Sequence, residues 1–284
     1  MSAHKNSVPA PGLAAAGPEQ SAEAAAPASS NAPAASEAPA ATPLEPMSAF
    51  FAARVSGYDA HMLEDVQGCR EGYARMAELV DMHAKSVSTS PLRLLDLGCG
   101  TGLELDEIFR RLPDAEATGV DLAPAMLSRL REKHAGKRIR LICGSYFDVD
   151  FGWQAFDCAV SFESLHHFSH REKAGLYRRL FHALRPGGLY VECDYMVDTQ
   201  SEEDYYFAEN ARLRAEQGIS ADAFYHFDTP CTVANQISLL QNAGFTAVEQ
   251  VFRMGNTTML SARPIPSPEV LTSVISIVYI FPFK

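Results

Sequence analysis

The sequence lacks an excess of basic residues, and this absence narrows the range of partners. It contains 24 Lys and Arg against 35 Asp and Glu, which gives a formal net charge of −11. Neutralisation of phosphates by basic side chains supplies most of the affinity of nucleic-acid-binding proteins. We therefore expect neither a nucleic-acid partner nor docking on an anionic lipid surface.

Paired cysteine motifs are also absent. None of the six cysteines belongs to a C-x-x-C pair, and no short Cys/His spacing is of the kind that binds zinc. Several cysteines lie within apolar runs, where a free thiol behaves as a small hydrophobic side chain. The sequence therefore predicts a reduced, cytoplasmic setting without a disulfide framework and without a metal site.

Long apolar runs are missing as well. The most apolar stretch, residues 271–283, is shorter than the roughly 20 residues that a membrane-spanning helix needs. The N-terminus has neither the basic start nor the apolar block of a secretory signal, and its first arginine is Arg54. We expect no association with a membrane.

What the sequence does contain falls into segments of contrasting composition. Residues 1–46 consist mostly of Ala, Pro, Ser and Glu and cannot bury enough apolar surface to offset the entropy of ordering, so we predict a disordered tail. Residues 47–89 are predicted to form a helical lid, residues 90–263 the main domain, and residues 264–284 match no pattern. The helical patterns of the lid cover 46–62 and 64–85.

In the main domain, short apolar runs alternate with helical patterns. This alternation predicts βαβ units, and therefore an α/β fold with a mainly parallel sheet and helices on both faces. A Gly255-Asn256 turn makes the final strand antiparallel. The strand candidates are 93–97, 116–120, 138–143, 156–161, 189–194, 246–253 and 257–262. The helix candidates are 102–111, 124–134, 170–184, 201–217 and 230–243, the last with Thr229 as its cap and Pro230 at its first position.

The first strand ends in a glycine-rich turn, Leu-Asp-Leu-Gly-Cys-Gly-Thr-Gly at 95–102, which then opens a helix. Two interpretations compete. A dinucleotide site has the fingerprint G-x-G-x-x-G and holds a pyrophosphate at the helix N-terminus. Here the glycines are spaced G-x-G-x-G, and Asp96 stands two residues before the first of them. A carboxylate there repels a pyrophosphate and suits the ammonium and sulfonium groups of S-adenosylmethionine.

A second acid, Asp121, ends the second strand. A carboxylate at that position accepts hydrogen bonds from both ribose hydroxyls, which alone fits NAD and S-adenosylmethionine equally well. Leu122, the next residue, is placed to pack on an adenine ring. The glycine spacing together with both acids favours S-adenosylmethionine.

At these residues the chain resembles the class I S-adenosylmethionine-dependent methyltransferases, over about residues 90–262. The glycine turn and Asp121 match the first two motifs of the family. The runs Phe-Asp-Cys-Ala-Val-Ser at 156–161 and Leu-Arg-Pro-Gly-Gly at 184–188 match its fourth strand and the turn before its fifth. The resemblance implies a Rossmann-like sheet of seven strands in the order 3-2-1-4-5-7-6, with strand 7 antiparallel, and S-adenosylmethionine as the cofactor.

The resemblance also implies which residues hold the cofactor. Relatives often carry an acid that bonds the adenine amino group, whereas this chain has Ser145, whose hydroxyl accepts that bond less strongly. Asp148 is a candidate substitute or a cap of the next turn. The expected cofactor-binding residues are Asp96, Gly98, Cys99, Gly100, Asp121, Leu122, Gly144, Ser145, Tyr146, Ser161, Phe162 and Tyr58.

The acceptor is expected beyond the fourth strand, at a Leu-His-His-Phe run. His166 and His167 are the catalytic candidates, because imidazole titrates near neutral pH; alternatively they only shape the loop. Methyl transfer is a direct displacement, for which positioning alone supplies much of the acceleration. A helix carrying Tyr58 is expected to cover the cofactor. The aromatic segment 195–230 is expected to line the acceptor pocket, or else to belong to the core or a dimer surface.

Three functions compete. The leading hypothesis is a methyltransferase acting on a small molecule. The second is an enzyme of tRNA wobble-uridine modification, either a methyltransferase or a carboxy-S-adenosylmethionine synthase, which residues 227–230 and 239–245 resemble. Its extra carboxylate would need a cation, for which Arg212 and Arg214 are candidates. The third is a module that binds S-adenosylmethionine without catalysis and acts through its N-terminal tail.

Overall fold

The computed structural model describes residues 43–220 and 222–264. The chain divides into two units, residues 1–43 and 44–284. The predicted tail falls outside the described residues up to position 42, and the predicted C-terminal extension falls outside them from position 265.

The N-terminal helical segment contains three helices where two were expected: α1 Met47–Arg54, α2 Tyr58–Glu64 and α3 Cys69–Val87. The predicted helix 46–62 is wrong because the chain turns at Gly57, which precedes α2. The predicted start at residue 64 is wrong because Gly68, with φ +85°, redirects the backbone into α3. A Cβ at Gly68 would lie 2.9 Å from the Cβ of Met254, so this close approach requires glycine.

The central sheet has the predicted order. Seven strands pair as β3-β2-β1-β4-β5-β8-β7 among the described residues, and β8 is antiparallel to both of its neighbours. Counted without the two-residue strand β6, which pairs with the end of β5, this is the order 3-2-1-4-5-7-6. The strands are β1 Arg93–Leu97, β2 Glu116–Asp121, β3 Arg138–Cys143, β4 Phe156–Phe162, β5 Leu184–Val197, β6 Cys231–Thr232, β7 Phe245–Met254 and β8 Thr257–Pro264.

Helices cover the sheet on both faces, as the alternation of strands and helices predicts. Leu94 faces one apolar cluster, which contains Tyr73 and Met76 of α3, whereas Leu95 and Leu97 face another on the opposite side. Burial on both faces explains why leucines occupy both sides of β1, at positions 94, 95 and 97. The remaining helices are α4 Leu103–Arg111, α5 Pro124–Lys133, α6 His170–Ala183, α7 Gln200–Glu216 and α8 Val233–Asn242.

One helix start differs from the prediction. Helix α8 begins at Val233, and its cap is Thr232, whose hydroxyl accepts a hydrogen bond from the amide of Asn235. The expected cap, Thr229, instead donates its backbone and side-chain hydrogens to the carbonyl of His166. Thr229 therefore ties the segment before α8 to the loop after β4. None of the described helices is long and apolar enough to cross a membrane.

Candidate active site

A cavity opens at the carboxyl ends of β1, β2 and β4, where the order of the sheet reverses and open α/β sheets bind ligands. It holds about 600 Å³ of empty space, part of it open to solvent. The lining residues come from the helices near residues 47–58 and 126, from the loops after β1, β2, β3 and β4, and from the segment before β6. They are Met47, Ser48, Phe51, Tyr58, Gly98, Gly100, Asp121, Leu122, Ala123, Met126, Ser145, Tyr146, Glu163, Ser164, His167, Phe168 and Phe224.

The glycine-rich turn forms the floor of this cavity. Gly98 and Gly100 have φ values of +72° and +46°, a conformation that disfavours other residues. A Cβ at Gly98 would lie 2.0 Å from the hydroxyl of Ser164. Because no side chain projects from these positions, a ligand can approach the backbone directly.

Asp121 lines the cavity and is held by its backbone neighbours. One carboxylate oxygen accepts a hydrogen bond from the amide of Gly100 at 2.9 Å, and the other accepts one from the amide of Ala123 at 2.7 Å. Burial raises the pKa of Asp121 although these bonds oppose the shift. Each oxygen keeps a second lone pair, so the fixed carboxylate can accept from two ligand hydroxyls.

Asp96 does not line the cavity. Its side chain is fully buried, and neither carboxylate oxygen has a hydrogen-bond partner among the described residues. Its neighbour is Glu104, in the first turn of α4, which lines a smaller cavity beside Gly98 and Gly100. Burial raises the pKa of Glu104 to about 7, and burial and the charge of Glu104 raise the pKa of Asp96. Two buried carboxyls that form no ion pair with a described residue fit a ligand that brings its own ammonium group.

Glu104 was missed by the sequence analysis. The available signal was an acid two positions after the last glycine of the turn, on the same side of the sheet as Asp96.

Of the other expected residues, Cys99 and Phe162 line the smaller cavity, together with Tyr58. Gly144 and Ser161 line neither, and the hydroxyl of Ser161 pairs with that of Tyr190 at 2.8 Å.

Helices α1 and α2 cover the turn, so the predicted lid role concerns them rather than α3, which lies in the core. Tyr58, at the start of α2, lines both cavities. Its neighbour Asp59 accepts a hydrogen bond from the hydroxyl of Thr101 at 2.5 Å. Lys133 of α5 also contacts Asp59, at 3.4 Å. These contacts fasten α2 over the glycine-rich turn.

The loop after β3 supplies the adenine side of the expected site. Ser145 and Tyr146 line the cavity, and the hydroxyl of Tyr146 donates to the carbonyl of Ser164 at 3.0 Å. Arg179 of α6 holds the loop by donating to the carbonyls of Tyr146, Phe147 and Val149. Asp148 is exposed and does not line the cavity.

The residue after β4 is Glu163, another site residue that the sequence analysis missed. Glu163 lines the cavity, and its φ is +46°. Non-glycine residues with such φ values cluster at functional sites. The hydroxyl of Thr257 donates to its carboxylate at 3.3 Å. Burial raises the pKa of Glu163 to about 8, against the opposing charge of His166. This carboxyl group can therefore exchange a proton near neutral pH.

The structure separates the two histidines that the sequence could not. His167 lines the cavity, whereas His166 does not. Nδ1 of His166 lies 2.5 Å from a carboxylate oxygen of Asp194, whose other oxygen accepts from the amide of Leu165 at 3.1 Å. Burial alone would lower the pKa of His166, but Asp194 and its acidic neighbours raise it to about 9. Burial and the charge of His166 lower the pKa of His167.

Few of the predicted pocket aromatics reach the cavity. Of the aromatic residues in the segment 195–230, only Phe224 lines it, across from Phe51 and Phe168. Tyr195 instead donates to the hydroxyl of Tyr206 at 3.0 Å, away from the lining. The apolar wall therefore comes largely from α1, from residues 122–126 after β2 and from the loop after β4.

The two candidate cations for an extra carboxylate also lie elsewhere. Arg212 is half-exposed on α7 and pairs with Glu209 and Glu216 at 2.5 Å each. Arg214 donates to the carbonyls of Ser220 and Ala223. No Lys or Arg of the described part of the chain lines the cavity.

A doubly wound sheet with a glycine-rich turn and a fixed carboxylate after its second strand defines a nucleoside-binding α/β enzyme. Comparison with known proteins identifies its family. Residues 94–188 match a family model described as a methyltransferase domain. A carboxy-S-adenosyl-L-methionine synthase of Wolinella succinogenes is 31% identical over 185 residues, which cover 59% of this chain and 74% of that protein. A carboxy-S-adenosyl-L-methionine synthase of Campylobacter lari is 23% identical over 222 residues, which cover 75% of this chain and 93% of that protein.

A solved structure supports the same fold. The chain superposes on Streptomyces venezuelae DesVI with a TM-score of 0.53 and 18% identity, covering 74% of this chain and 98% of that one. The chain belongs to the class I S-adenosylmethionine-dependent methyltransferase family. S-adenosylmethionine is its cofactor or substrate, as the resemblance predicted.

Proposed function

We propose that this enzyme transfers a methyl group to a small molecule held in the cavity. The observation that carries the proposal is that one cavity joins the cofactor residues Gly98, Gly100 and Asp121 to Glu163 and His167 at its other end. Small-molecule sites are concave and largely apolar, with a few polar groups that fix orientation. Phe51, Phe168 and Phe224 supply the apolar surface here.

The cofactor residues fit a cationic nucleoside. Asp121 can accept from the ribose hydroxyls, while the carboxyls of Asp96 and Glu104, beside the glycine-rich turn, can give up a proton to face an ammonium group. When bound, S-adenosylmethionine supplies the methyl group, which the acceptor takes by direct displacement at the sulfonium. The protein positions the acceptor and excludes water, which accounts for much of the acceleration in such reactions.

We assign the proton-accepting role to Glu163, for acceptors that lose a proton. Its carboxylate lines the cavity, and its pKa of about 8 matches the near-neutral range in which general bases work best. His167, which lines the same wall, is the second candidate. His166 lies behind it, bound to Asp194, and is better suited to positioning His167 than to contacting the acceptor.

The second candidate function is synthesis of carboxy-S-adenosylmethionine, which the named relatives favour. The cavity does not support it, because a carboxylate placed there would meet Asp121 and would find no Lys or Arg among the described lining residues. Action on tRNA is opposed by the net charge of −11. A binding module without catalysis would not require a titratable pair at the acceptor end.

The deciding experiment is incubation of the purified protein with methyl-labelled S-adenosylmethionine and a fractionated lysate, followed by mass spectrometry. We expect label in a small molecule and release of S-adenosylhomocysteine, and much less of both with the Asp121→Ala variant at a cofactor concentration near the Kd of the wild type. Label in tRNA, or conversion of the cofactor into a nucleoside heavier by one carbon dioxide, would replace the proposal with its alternative. Binding without any labelled product would favour the non-catalytic module.

A further inference from the structure

Three histidines surround one carboxylate oxygen beside the acceptor end of the cavity. Oδ1 of Asp228 lies 3.3 Å from Nδ1 of His167, 3.5 Å from Nε2 of His166 and 3.9 Å from Nε2 of His226. The ligand atoms of His166, His167 and Asp228 all lie within 4.8 Å of one another. The two segments that carry them are about sixty positions apart, and the bond from Thr229 to the carbonyl of His166 joins them.

The distances to His166 and His226 are long for hydrogen bonds, and Nδ1 of His167 lies 3.3 Å both from Asp228 and from the carbonyl of Phe227. The spacing of the His166, His167 and Asp228 atoms suits ligands of a common metal ion. Two ligand atoms that are each about 2.1 Å from a tetrahedral ion lie roughly 3.4 Å apart. We propose that His166, His167 and Asp228 bind a divalent transition-metal ion such as Zn²⁺ or Fe²⁺. Two imidazoles and one carboxylate suit these ions, whereas Mg²⁺ prefers oxygen ligands.

The surroundings of His166 support this assignment. Metal-binding histidines usually direct their second ring nitrogen to a carboxylate or a carbonyl, which fixes the ring. Nδ1 of His166 has such a partner in Asp194, which is itself held by the amide of Leu165, so Nε2 is left to face Asp228. Metal sites in which a carboxylate orients a metal-binding histidine have this arrangement.

The charges nearby point the same way. Glu163, Asp194 and Asp228 all lie within 3.6 Å of a nitrogen of His166. Among the described residues, no Lys or Arg forms an ion pair with any of the three. A divalent cation would balance this excess of carboxylates, and Asp228, whose side chain is 41% exposed, gives it a path from solvent.

A second cluster of possible ligands, His170, Glu203 and Cys231, serves as an internal comparison. There the carboxylate of Glu203 already accepts from the amide of Thr232 and from the side chain of Asn235. Cys231 accepts from the ammonium group of Lys173 at 3.3 Å. Because these groups are satisfied, we expect no ion at this second cluster.

The inference does not depend on the proposed function, since metal uptake is measured on the protein alone. The full chain, treated with a chelator and dialysed, is titrated with Zn²⁺ by calorimetry and with Co²⁺ by visible absorption. We expect one equivalent of each ion, visible Co²⁺ bands, and little response to Mg²⁺.

Variants locate the ion. His167→Gln and Asp228→Asn should abolish high-affinity uptake, and Asp194→Asn should weaken it about 10- to 100-fold. His170→Gln removes a histidine of the second cluster, and His61→Gln an exposed histidine paired with Asp65; both should bind Zn²⁺ like the wild type. Circular dichroism checks that each variant folds.

Three results would overturn the inference. The first is a wild type that takes up no Zn²⁺ and shows no Co²⁺ bands. The second is unchanged uptake in folded His167→Gln and Asp228→Asn proteins. The third is a loss of uptake in His170→Gln alone. If the ligand variants do not fold, the wild type is treated with diethyl pyrocarbonate with and without Zn²⁺, and modification of its histidines is compared. Protection of His166 and His167 but not of His170 supports the site, and equal modification with and without Zn²⁺ contradicts it.

Discussion

The carboxylate of Asp121 accepts a hydrogen bond from the amide of Gly100 at 2.9 Å, and this bond joins the ends of the first two strands of the sheet. It places the acid that follows β2 directly against the glycine-rich turn that follows β1. Ala123 fixes the other carboxylate oxygen from the far side. The carboxylate is therefore oriented before any ligand arrives, which reduces the entropic cost of binding.

Replacing Asp121 by Ala should weaken binding of S-adenosylhomocysteine at least about 10- to 100-fold, because even one lost hydrogen bond to a charged group costs roughly 1.5 to 3 kcal/mol. Isothermal titration calorimetry measures the change. Asp148→Ala is the matched control, since Asp148 follows the next strand but is exposed and away from the cavity, and it should bind like the wild type. Equal affinity in both variants would remove Asp121 from the site.

Gly98→Ala should abolish cofactor binding. The added Cβ would lie 2.0 Å from the hydroxyl of Ser164, and the φ of +72° disfavours alanine. Gly136→Ala is the control, because nothing lies within 4 Å of a Cβ at that position. Calorimetry and thermal denaturation of both variants test this prediction, and a Gly98→Ala protein that binds normally would show that the turn is not in the site.

The stability of the cofactor-free protein should depend on Glu104. Its pKa rises from 4.5 in the unfolded chain to about 7 in the folded one, so the carboxyl holds a proton more tightly when folded. The associated stability is present below pH 4.5 and is lost as pH rises through about 7. Relative to Glu104→Gln, the wild type should lose roughly 3 kcal/mol of unfolding free energy between these pH values. Urea denaturation at several pH values tests this, and a pH-independent difference would contradict it.

Glu163→Gln should lower turnover by about 10²- to 10⁴-fold, the usual effect of removing a general base, while leaving affinity for S-adenosylhomocysteine within a factor of a few. Steady-state kinetics with the acceptor identified from the lysate, together with calorimetry, measure both. Glu249→Gln, on the exposed part of β7, is the control. Unchanged turnover in Glu163→Gln would assign the role to His167 or show that no base is needed.

The sequence predicts the sheet well because its signals are local. The apolar run of β1, the glycine-rich turn and the acid after β2 each occupy a few consecutive residues, and the order of the strands then follows from the family resemblance. The errors lie where distant contacts decide. Gly68 breaks a helical pattern because it packs against Met254, and Thr229 is drawn away from α8 by the carbonyl of His166.

The acceptor end of the site was harder to predict for the same reason. His166 and His167 are conspicuous as a pair, but only the fold shows that one lines the cavity while the other bonds Asp194. Glu163 gave no signal in sequence, because its significance lies in a left-handed backbone and in burial. Asp228 lies near these histidines only because the segment before α8 returns to the loop after β4.

The claim that the cavity favours an uncarboxylated cofactor is tested most directly by calorimetric titration of the wild type with S-adenosylmethionine, S-adenosylhomocysteine and carboxy-S-adenosylmethionine under identical conditions. For the chelator-treated protein we predict that the first two bind and that the third binds at least about tenfold more weakly, which corresponds to roughly 1.4 kcal/mol, because its added carboxylate meets Asp121 and no Lys or Arg among the described lining residues. Binding of carboxy-S-adenosylmethionine as tight as that of S-adenosylmethionine, or tighter, would contradict the account.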